Sequence, residues 1–417
     1  MTTRDRASSS SPVRPAPLPV KRLLVVSSAM HYDRGGTFLS YGPYTREIDI
    51  WADLFEEVVI AAPCRTDAPP ADCIPFTRTN IVVRPQREVG GNGLREKIAL
   101  VAGVPAMALG LAKEMRRADA IHVRCPGNLG GVAAVVAPLF SKRLVAKYAG
   151  QWNDHPGENP ASRWQRRVLS SRWWRGPVTV YGDWPNQPPH VVSFFTSMMT
   201  GAQVDRARQA AATRALGSPL RVLFCGSLQA RKRVDALIDA VKALVTTGFG
   251  VELTIVGDGE EREALRARAG DLVDRGIIRF VGALPFDESL RWYERADCLV
   301  LPSRNSEGWP KVIAEAMCHG LVCVGVAHGH VPSMLAGRGI VVETGSASEL
   351  ADALRSVASD PARYQRLSTA ASAWACQFSL ETLQQAIRAL LVERWDLPGG
   401  PAPSASANLA AAGHHGR

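Results

Sequence analysis

LPSRNSEGWPKVIAEAM, residues 301–317, reads strand, loop, helix. Pro310 stands where a first helical residue is favoured, because its missing N–H would find no partner there anyway. The amides of Gly308, Trp309 and Lys311 then lie near a helix N-terminus, which suits an anion such as a diphosphate. Gly308 lets the backbone approach a ligand closely. Glu307 precedes the helix, and Glu315 falls roughly one and a half turns inside it. Two carboxylates at different depths can each accept bonds from a sugar or ribose diol. Either acid alone reads equally well as an ordinary solvated residue.

Outward from this segment, short β-branched runs alternate with helical patterns, which argues for parallel sheets flanked by helices. In the N-terminal half the strands are Leu23–Val26, Val58–Ala61, Ile81–Arg84, Ala120–Val123 and Leu144–Lys147, with shorter ones at Val178–Tyr181 and Val191–Ser193. The second half restarts the pattern at Arg221–Cys225, Glu252–Val256, Ile278–Val281, Cys298–Leu301, Val322–Gly325 and Ile340–Val342. The fold class is therefore α/β, two doubly wound Rossmann-like domains facing across a cleft, at 20–199 and 220–379. Residues 200–219, polar and rich in Ala and Arg, read as the link. A helix within 380–397 is expected to pack back on the first domain. Residues 1–19 and 398–417, rich in Ser, Pro, Gly and Ala, read as disordered tails. In such sheets ligands bind beyond the carboxyl ends of the strands.

Three further loops follow strands of the second half. Gly226-Ser-Leu-Gln-Ala-Arg-Lys-Arg carries the neutral Ser227 and the cations Arg231 and Lys232, which can meet charge that grows on a leaving diphosphate. Gly257-Asp-Gly259 is a tight turn opening a helix. Val281-Gly-Ala-Leu-Pro offers the backbone of Ala283 and Leu284.

Taken in order, FCGSL, ARKRVDALIDA, LTIVGDGEE, IRFVGALP, ADCLVLPS and EGWPKVIAEAM resemble the donor-binding half of glycosyltransferase family 4, across most of residues 220–380. The resemblance implies the GT-B fold and transfer from a nucleoside-diphosphate sugar with retention at the anomeric carbon. It implies that Glu315 binds the nucleotide ribose, that Glu307 with the backbone of Gly308 and Trp309 holds the donor sugar, and that Ala283 and Leu284 line the nucleobase. Lys232 matches the family's lysine. Ser227 stands where the family usually has arginine, and Arg231 is a candidate replacement. Gly35 and Gly36 correspond to a glycine-rich loop that approaches the diphosphate from the opposite wall; an ordinary flexible turn is the other reading. His31 and Tyr32, just before it, face either the acceptor or the core. Relatives place a histidine near the end of the fourth strand; here the end reads His122-Val-Arg-Cys-Pro, and Arg124 takes the expected place. Trp152, with Tyr148, Gln151 and Asp154, follows another strand and is a candidate for the acceptor cleft.

The 417 residues are 46% hydrophobic and carry a net charge of +10, a balance that suits a nucleotide, an anionic lipid surface or an inert basic exterior. No nucleic-acid motif is present. Eight cysteines without a C-x-x-C pair, several in core-like runs, suggest a reducing compartment. The opening residues lack an apolar signal region and no window spans a bilayer, so the expected location is the cytoplasm or the inner membrane face. Arg163–Arg175 (RWQRRVLSSRWWR) fits either an anionic membrane surface or Arg stems packed over Trp rings. No D-x-D occurs, so no metal or other cofactor is expected. A glycosidase using Glu307 and Glu315 is a rival, as is a nucleotide-sugar-binding protein that has lost catalysis, with the Ser227 departure in its favour.

Overall fold

The computed structural model describes residues 16–87, 94–155, 157–304 and 308–398; the outer parts of both expected tails lie outside them. The N-terminal domain holds β1 (Arg22–Val26), β2 (His31–Arg34), β3 (Thr37–Tyr41), β4 (Glu57–Arg65), β5 (Cys73–Pro75), β6 (Ile81–Gln86), β7 (Ala120–Cys125), β8 (Leu144–Tyr148), β9 (Val178–Tyr181) and β10 (Val191–Phe194). Its parallel core runs β10-β9-β8-β7-β1-β4, with β6 also pairing β4. β1, β7 and β8 are buried on both faces, as expected of strands covered by helices on either side.

The C-terminal domain holds β11 (Leu220–Cys225), β12 (Val251–Val256), β13 (Ile278–Gly282), β14 (Cys298–Leu301), β15 (Val322–Val326) and β16 (Gly339–Val342). They form one parallel sheet ordered β13-β12-β11-β14-β15-β16, the doubly wound order with its reversal between β11 and β14. The helix after β11, Val234–Thr246, packs with Ala347–Ser359, whereas Lys311–Cys318 after β14 packs with Pro361–Ala375. The two helices leave neighbouring strands for opposite faces and open a crevice between the strand ends.

Two segments differ from the sequence expectation. β2 and β3 form a hairpin, extended antiparallel by β5. Gly35 (φ +67°) and Gly36 (φ +90°) are its two-residue turn, the left-handed pair such a turn requires. β2 touches β4 only at His31 and Tyr32; with so little burial, no apolar alternation marked it. The segment read as a link contains the helix Gly201–Ala212, closed by a capping box between Thr200 and Gln203. Its Ala, Arg and Gln are strong helix formers, and Gln203 Nε2 donates to Asp287 Oδ1 at 2.7 Å.

The helix Leu380–Arg394 starts where the domains meet and runs along the first. Leu380 N donates to Met199 O at 2.8 Å, Gln384 to Asp53 at 3.1 Å, and Trp395 Nε1 to Leu144 O at 3.1 Å. Trp395 is buried beside Phe55, with ring centroids 6.4 Å apart. Trp395→Ala empties this site and strands the Leu144 carbonyl; it is expected to destabilise the N-terminal domain by about 3–5 kcal/mol, measured as a lower urea midpoint for its unfolding transition.

Candidate active site

The loops after β11, β12 and β13 and the start of the Lys311–Cys318 helix gather at the carboxyl end of the second sheet. Gly226 and Ser227 follow β11, and Lys232 ends a short 3-10 turn, Ala230–Lys232. The Gly257-Asp-Gly259 turn supports this loop. A Cβ on Gly257 would stand 1.9 Å from the Gly226 carbonyl, and one on Gly259 2.4 Å from that of Leu228; both glycines serve loop packing. The Gly257 amide donates to the Gly282 carbonyl at 2.8 Å, which brings in the turn of exposed Ala283 and half-buried Leu284. Arg231 is exposed, and its Nε donates to Gln229 Oε1 at 2.9 Å.

On the other side of the reversal, Pro310 caps the helix and Lys311 is its first residue, one position later than the proline's preference suggests. The Lys311 and Val312 amides have no acceptor within the helix by its geometry. Glu315 is buried and accepts the Tyr293 hydroxyl at 2.8 Å. Burial raises its pKa against the pull of that bond and of the Lys311 and Arg46 charges. Glu307 lies outside the described residues.

Gly308 and Trp309 face the N-terminal domain. A Cβ at Gly308 would meet the Ala149 carbonyl and the Tyr181 ring, both at 2.8 Å. The Trp309 ring is buried among Tyr181 and Phe195 of the first domain and His330, Trp374 and Phe378 of the second, at centroid distances of 5.2–6.4 Å. Packing occupies the ring, and what Trp309 offers a ligand is its backbone.

Opposite stands an ion cluster that the sequence reading missed apart from Arg124. Glu47, from the helix Gly42–Ala52, accepts Arg124 Nη1 at 2.7 Å and Lys147 Nζ at 2.5 Å. Glu47 and Lys147 are buried and Arg124 is largely so. Arg124 lies over the Tyr44 ring at 5.0 Å and Lys147 over Tyr181 at 5.2 Å. Burial alone would raise the Glu47 pKa; the two cations overcome it and hold the carboxyl well below its usual range. Burial lowers Lys147 to about 8. The cluster keeps a net positive charge at the ends of β7 and β8. A signal was present for Lys147, a charge inside the otherwise apolar run LVAKY, since such residues are rarely buried unless paired; Glu47 stands among the charges Arg46 and Asp49 and carried no such mark.

Other sequence candidates fall elsewhere. His31 is fully buried, stacked on Phe76 at 5.7 Å with its Nδ1 2.9 Å from the Ala29 carbonyl, so it belongs to the core and does not face an acceptor; burial lowers its pKa to about 4. Tyr32 is half-buried on the hairpin. Gly35 and Gly36 sit at that exposed turn, where Asp33 Oδ1 accepts the Gly36 amide at 2.8 Å, and the helix N-terminus falls at Gly42 instead. Trp152 is buried against Tyr148 at 5.3 Å, where a large apolar ring gains from the core. His122 is buried and stacked on Trp51 at 4.2 Å.

Two facing doubly wound domains with a crevice at the strand reversal define the GT-B class of fold. The family model described as Glycosyl transferases group 1 matches residues 219–360, within the C-terminal domain. The amylovoran biosynthesis glycosyltransferase AmsK of Erwinia amylovora is 34% identical over 128 residues, 29% of this chain and 31% of the relative. A D-inositol 3-phosphate glycosyltransferase of Corynebacterium aurimucosum is 32% identical over 191 residues, 43% and 44% of the two chains. The matches thus span less than half the length of these curated relatives. Among solved structures, Anabaena Alr3699/HepE in complex with UDP and glucose superposes with a TM-score of 0.59 at 16% identity, covering 88% of this chain and 98% of that one; the likeness extends the shared fold to both domains.

Glu47→Gln leaves two buried cations without a counter-charge and is expected to cost about 3–5 kcal/mol. The pH dependence has a definite sign. Lys147 titrates near 8 when folded and near 10.5 when unfolded, so the cost of burying its charge is full below about 8 and eases as pH rises through that window. Urea unfolding at pH 7 and pH 9.5 measures this, and the variant's deficit is expected to be smaller at the higher pH.

Proposed function

We propose that this protein transfers a glycosyl group from a nucleoside-diphosphate sugar to a hydroxyl acceptor, with retention and without a metal ion. The observation that carries the reading is the crevice itself: the Gly226–Lys232 loop, the Lys311 helix start and the buried Glu315 converge where β11 and β14 diverge. The Glu315 carboxylate accepts the ribose hydroxyls beside Tyr293. Lys232 and the Lys311 and Val312 amides receive the diphosphate. The anomeric carbon–oxygen bond to the diphosphate breaks as the acceptor oxygen bonds to the same face, and the acceptor's proton passes to the departing diphosphate. No side chain forms a covalent bond in this scheme. The acceptor is a glycan, a lipid-linked molecule or a small molecule, and the similarity to the amylovoran biosynthesis glycosyltransferase AmsK supports a role in glycan assembly.

Glu315→Gln keeps an oxygen acceptor for the Tyr293 hydroxyl and removes the charge; Lys232→Ala removes a cation. Each is expected to lower turnover of the cognate donor by about 10²–10³-fold with thermal unfolding little changed. The donor is found first by thermal shift against nucleoside diphosphates and their sugars, with about 1–3 kcal/mol of stabilisation expected from the right one. Wild-type rates in both variants refute the assignment. Activity that survives EDTA supports the metal-free scheme, and strict dependence on manganese or magnesium refutes it. Because burial raises the Glu315 pKa, nucleotide affinity is expected to fall on acidification at a pH above the ordinary glutamate range, and Glu315→Gln flattens that profile.

The same reading includes peripheral membrane contact on the N-terminal domain. Arg163 and Arg166 are spent on buried Glu158, and Trp174 is buried. Trp164, Trp173 and Leu139 remain exposed at 47%, 42% and 69%, beside exposed Arg167, Arg172 and Arg175. No helix among the described residues is long and apolar enough to cross a membrane. Co-sedimentation with vesicles containing anionic phospholipid is expected, with the Trp164→Ala/Trp173→Ala double variant losing about tenfold in affinity, near the burial value of two partly exposed rings. Equal binding to neutral vesicles, or no loss in the variant, refutes it.

A further inference from the structure

The helix that carries Glu315 ends at Cys318, and the helix Pro361–Ala375 is capped by Cys376. Their sulfurs are 3.2 Å apart and both thiols are free. A disulfide needs about 2.05 Å, so closure asks for a movement of roughly 1 Å. The two residues differ in access. Cys318 is buried, whereas Cys376 is half-buried and lines an open cavity of about 460 Å³ with Arg208 and Ser372. The Ser372 hydroxyl lies 3.6 Å from the Cys376 sulfur, and the Cys318 carbonyl 3.7 Å.

We propose that Cys376 and Cys318 are an oxidisable dithiol, with Cys376 the site of attack on hydrogen peroxide and Cys318 the resolving thiol. The Cys376 sulfur attacks a peroxide oxygen and the O–O bond breaks. A sulfenic acid forms, and the leaving hydroxide takes a proton to become water. The Cys318 sulfur then attacks the Cys376 sulfur, the S–O bond breaks, the S–S bond forms, and a second water departs with the Cys318 proton. Two thiols lose two electrons, and the peroxide is reduced to two waters.

The surroundings favour these roles. A hydrogen bond from the Cys318 thiol lowers the Cys376 pKa against the effect of burial, with help from Ser372 and Arg208. The same bond and burial push the Cys318 thiol up. The more acidic sulfur is thus the accessible one. The product would tie the end of the Glu315 helix to the segment bearing Trp374 and Phe378, two of the rings packed around Trp309.

The test treats the full chain with a few equivalents of hydrogen peroxide and maps thiols and cross-links by mass spectrometry without reduction. The expected result is a cross-link between Cys318 and Cys376, reversed by dithiothreitol, with the melting temperature raised by about 3–5 °C in the oxidised form. Cys323 shares a tryptic peptide with Cys318, so Cys318→Ser decides the pairing: it abolishes the cross-link and leaves Cys376 labelled by dimedone. Cys376→Ser abolishes both cross-link and label at this site. No cross-link in the wild type, a cross-link that survives Cys318→Ser, or dimedone labelling of Cys64 or Cys73 ahead of Cys376 overturns the proposal. None of these readouts depends on donor turnover, so the result stands apart from the transferase reading.

Discussion

The parallel pairing of β11 with β14 is the constraint on which the site depends. The register Val222↔Cys298 and Leu223↔Leu299 fixes the two strand ends side by side, while the helices that follow go to opposite faces. The Arg304 amide, just past β14, reaches the Arg231 carbonyl across the gap at 3.1 Å, whereas the Lys311 and Val312 amides at the helix start have no partner within the helix, and a ligand can supply one. Glycine is required where the supporting loops cross. The Gly257 and Gly259 contacts leave no room for a side chain, and any substitution there pushes the Gly226 loop away from the helix start. The chemistry of Lys232 and Glu315 therefore rests on backbone geometry set two strands away.

The opposing wall follows a different logic. It offers a buried carboxylate clamped by two cations. Taking three charges out of water is costly, and the attraction repays it only when geometry is good and remaining donors are satisfied. Here both contacts to Glu47 are short, and each cation has an aromatic face as a second partner. The arrangement holds β7, β8 and the Gly42–Ala52 helix at one relative position. It also leaves one positive charge in excess near the loop that precedes the Lys311 helix. In a crevice proposed to hold a diphosphate, that excess acts in the same direction as the helix N-terminus.

How much of this was legible in the sequence divides along burial. Cys298–Leu301 is a continuous apolar run and Leu144–Tyr148 is one broken only by Lys147, and pattern alone located both to within a residue or so. The hairpin at His31–Tyr41 was not, because its residues pair at an edge and bury little. Motif order marked Gly226, Lys232 and Glu315 as belonging to one crevice, since each follows a strand of one sheet. Tyr293, Glu47 and Lys147 were missed because their significance lies in partners far along the chain, 22, 77 and 100 residues away in the contacts concerned. Periodicity has no access to such separations. His31 and Trp152 were attractive as polar-capable residues near strand ends, yet desolvated packing claimed both.

The segment from Gly308 to Lys311 joins these two walls, and it does so by dividing its backbone from its side chains. The Trp309 ring sinks into an aromatic cluster drawn from both domains, with its indole nitrogen buried and unpartnered among the described residues. Gly308 touches Ala149 and Tyr181 with no space to spare. The amides that follow remain directed along the helix axis toward the crevice. A loop so placed cannot move with one domain alone: separating the domains withdraws Tyr181 and Phe195 from Trp309 and changes the seat of the anion-binding amides together with it. Apolar packing at the junction and charge binding in the crevice are thus one mechanical unit. The aromatic contacts supply the free energy that fixes the loop, and the fixed loop supplies the preorganised dipoles that a leaving diphosphate needs.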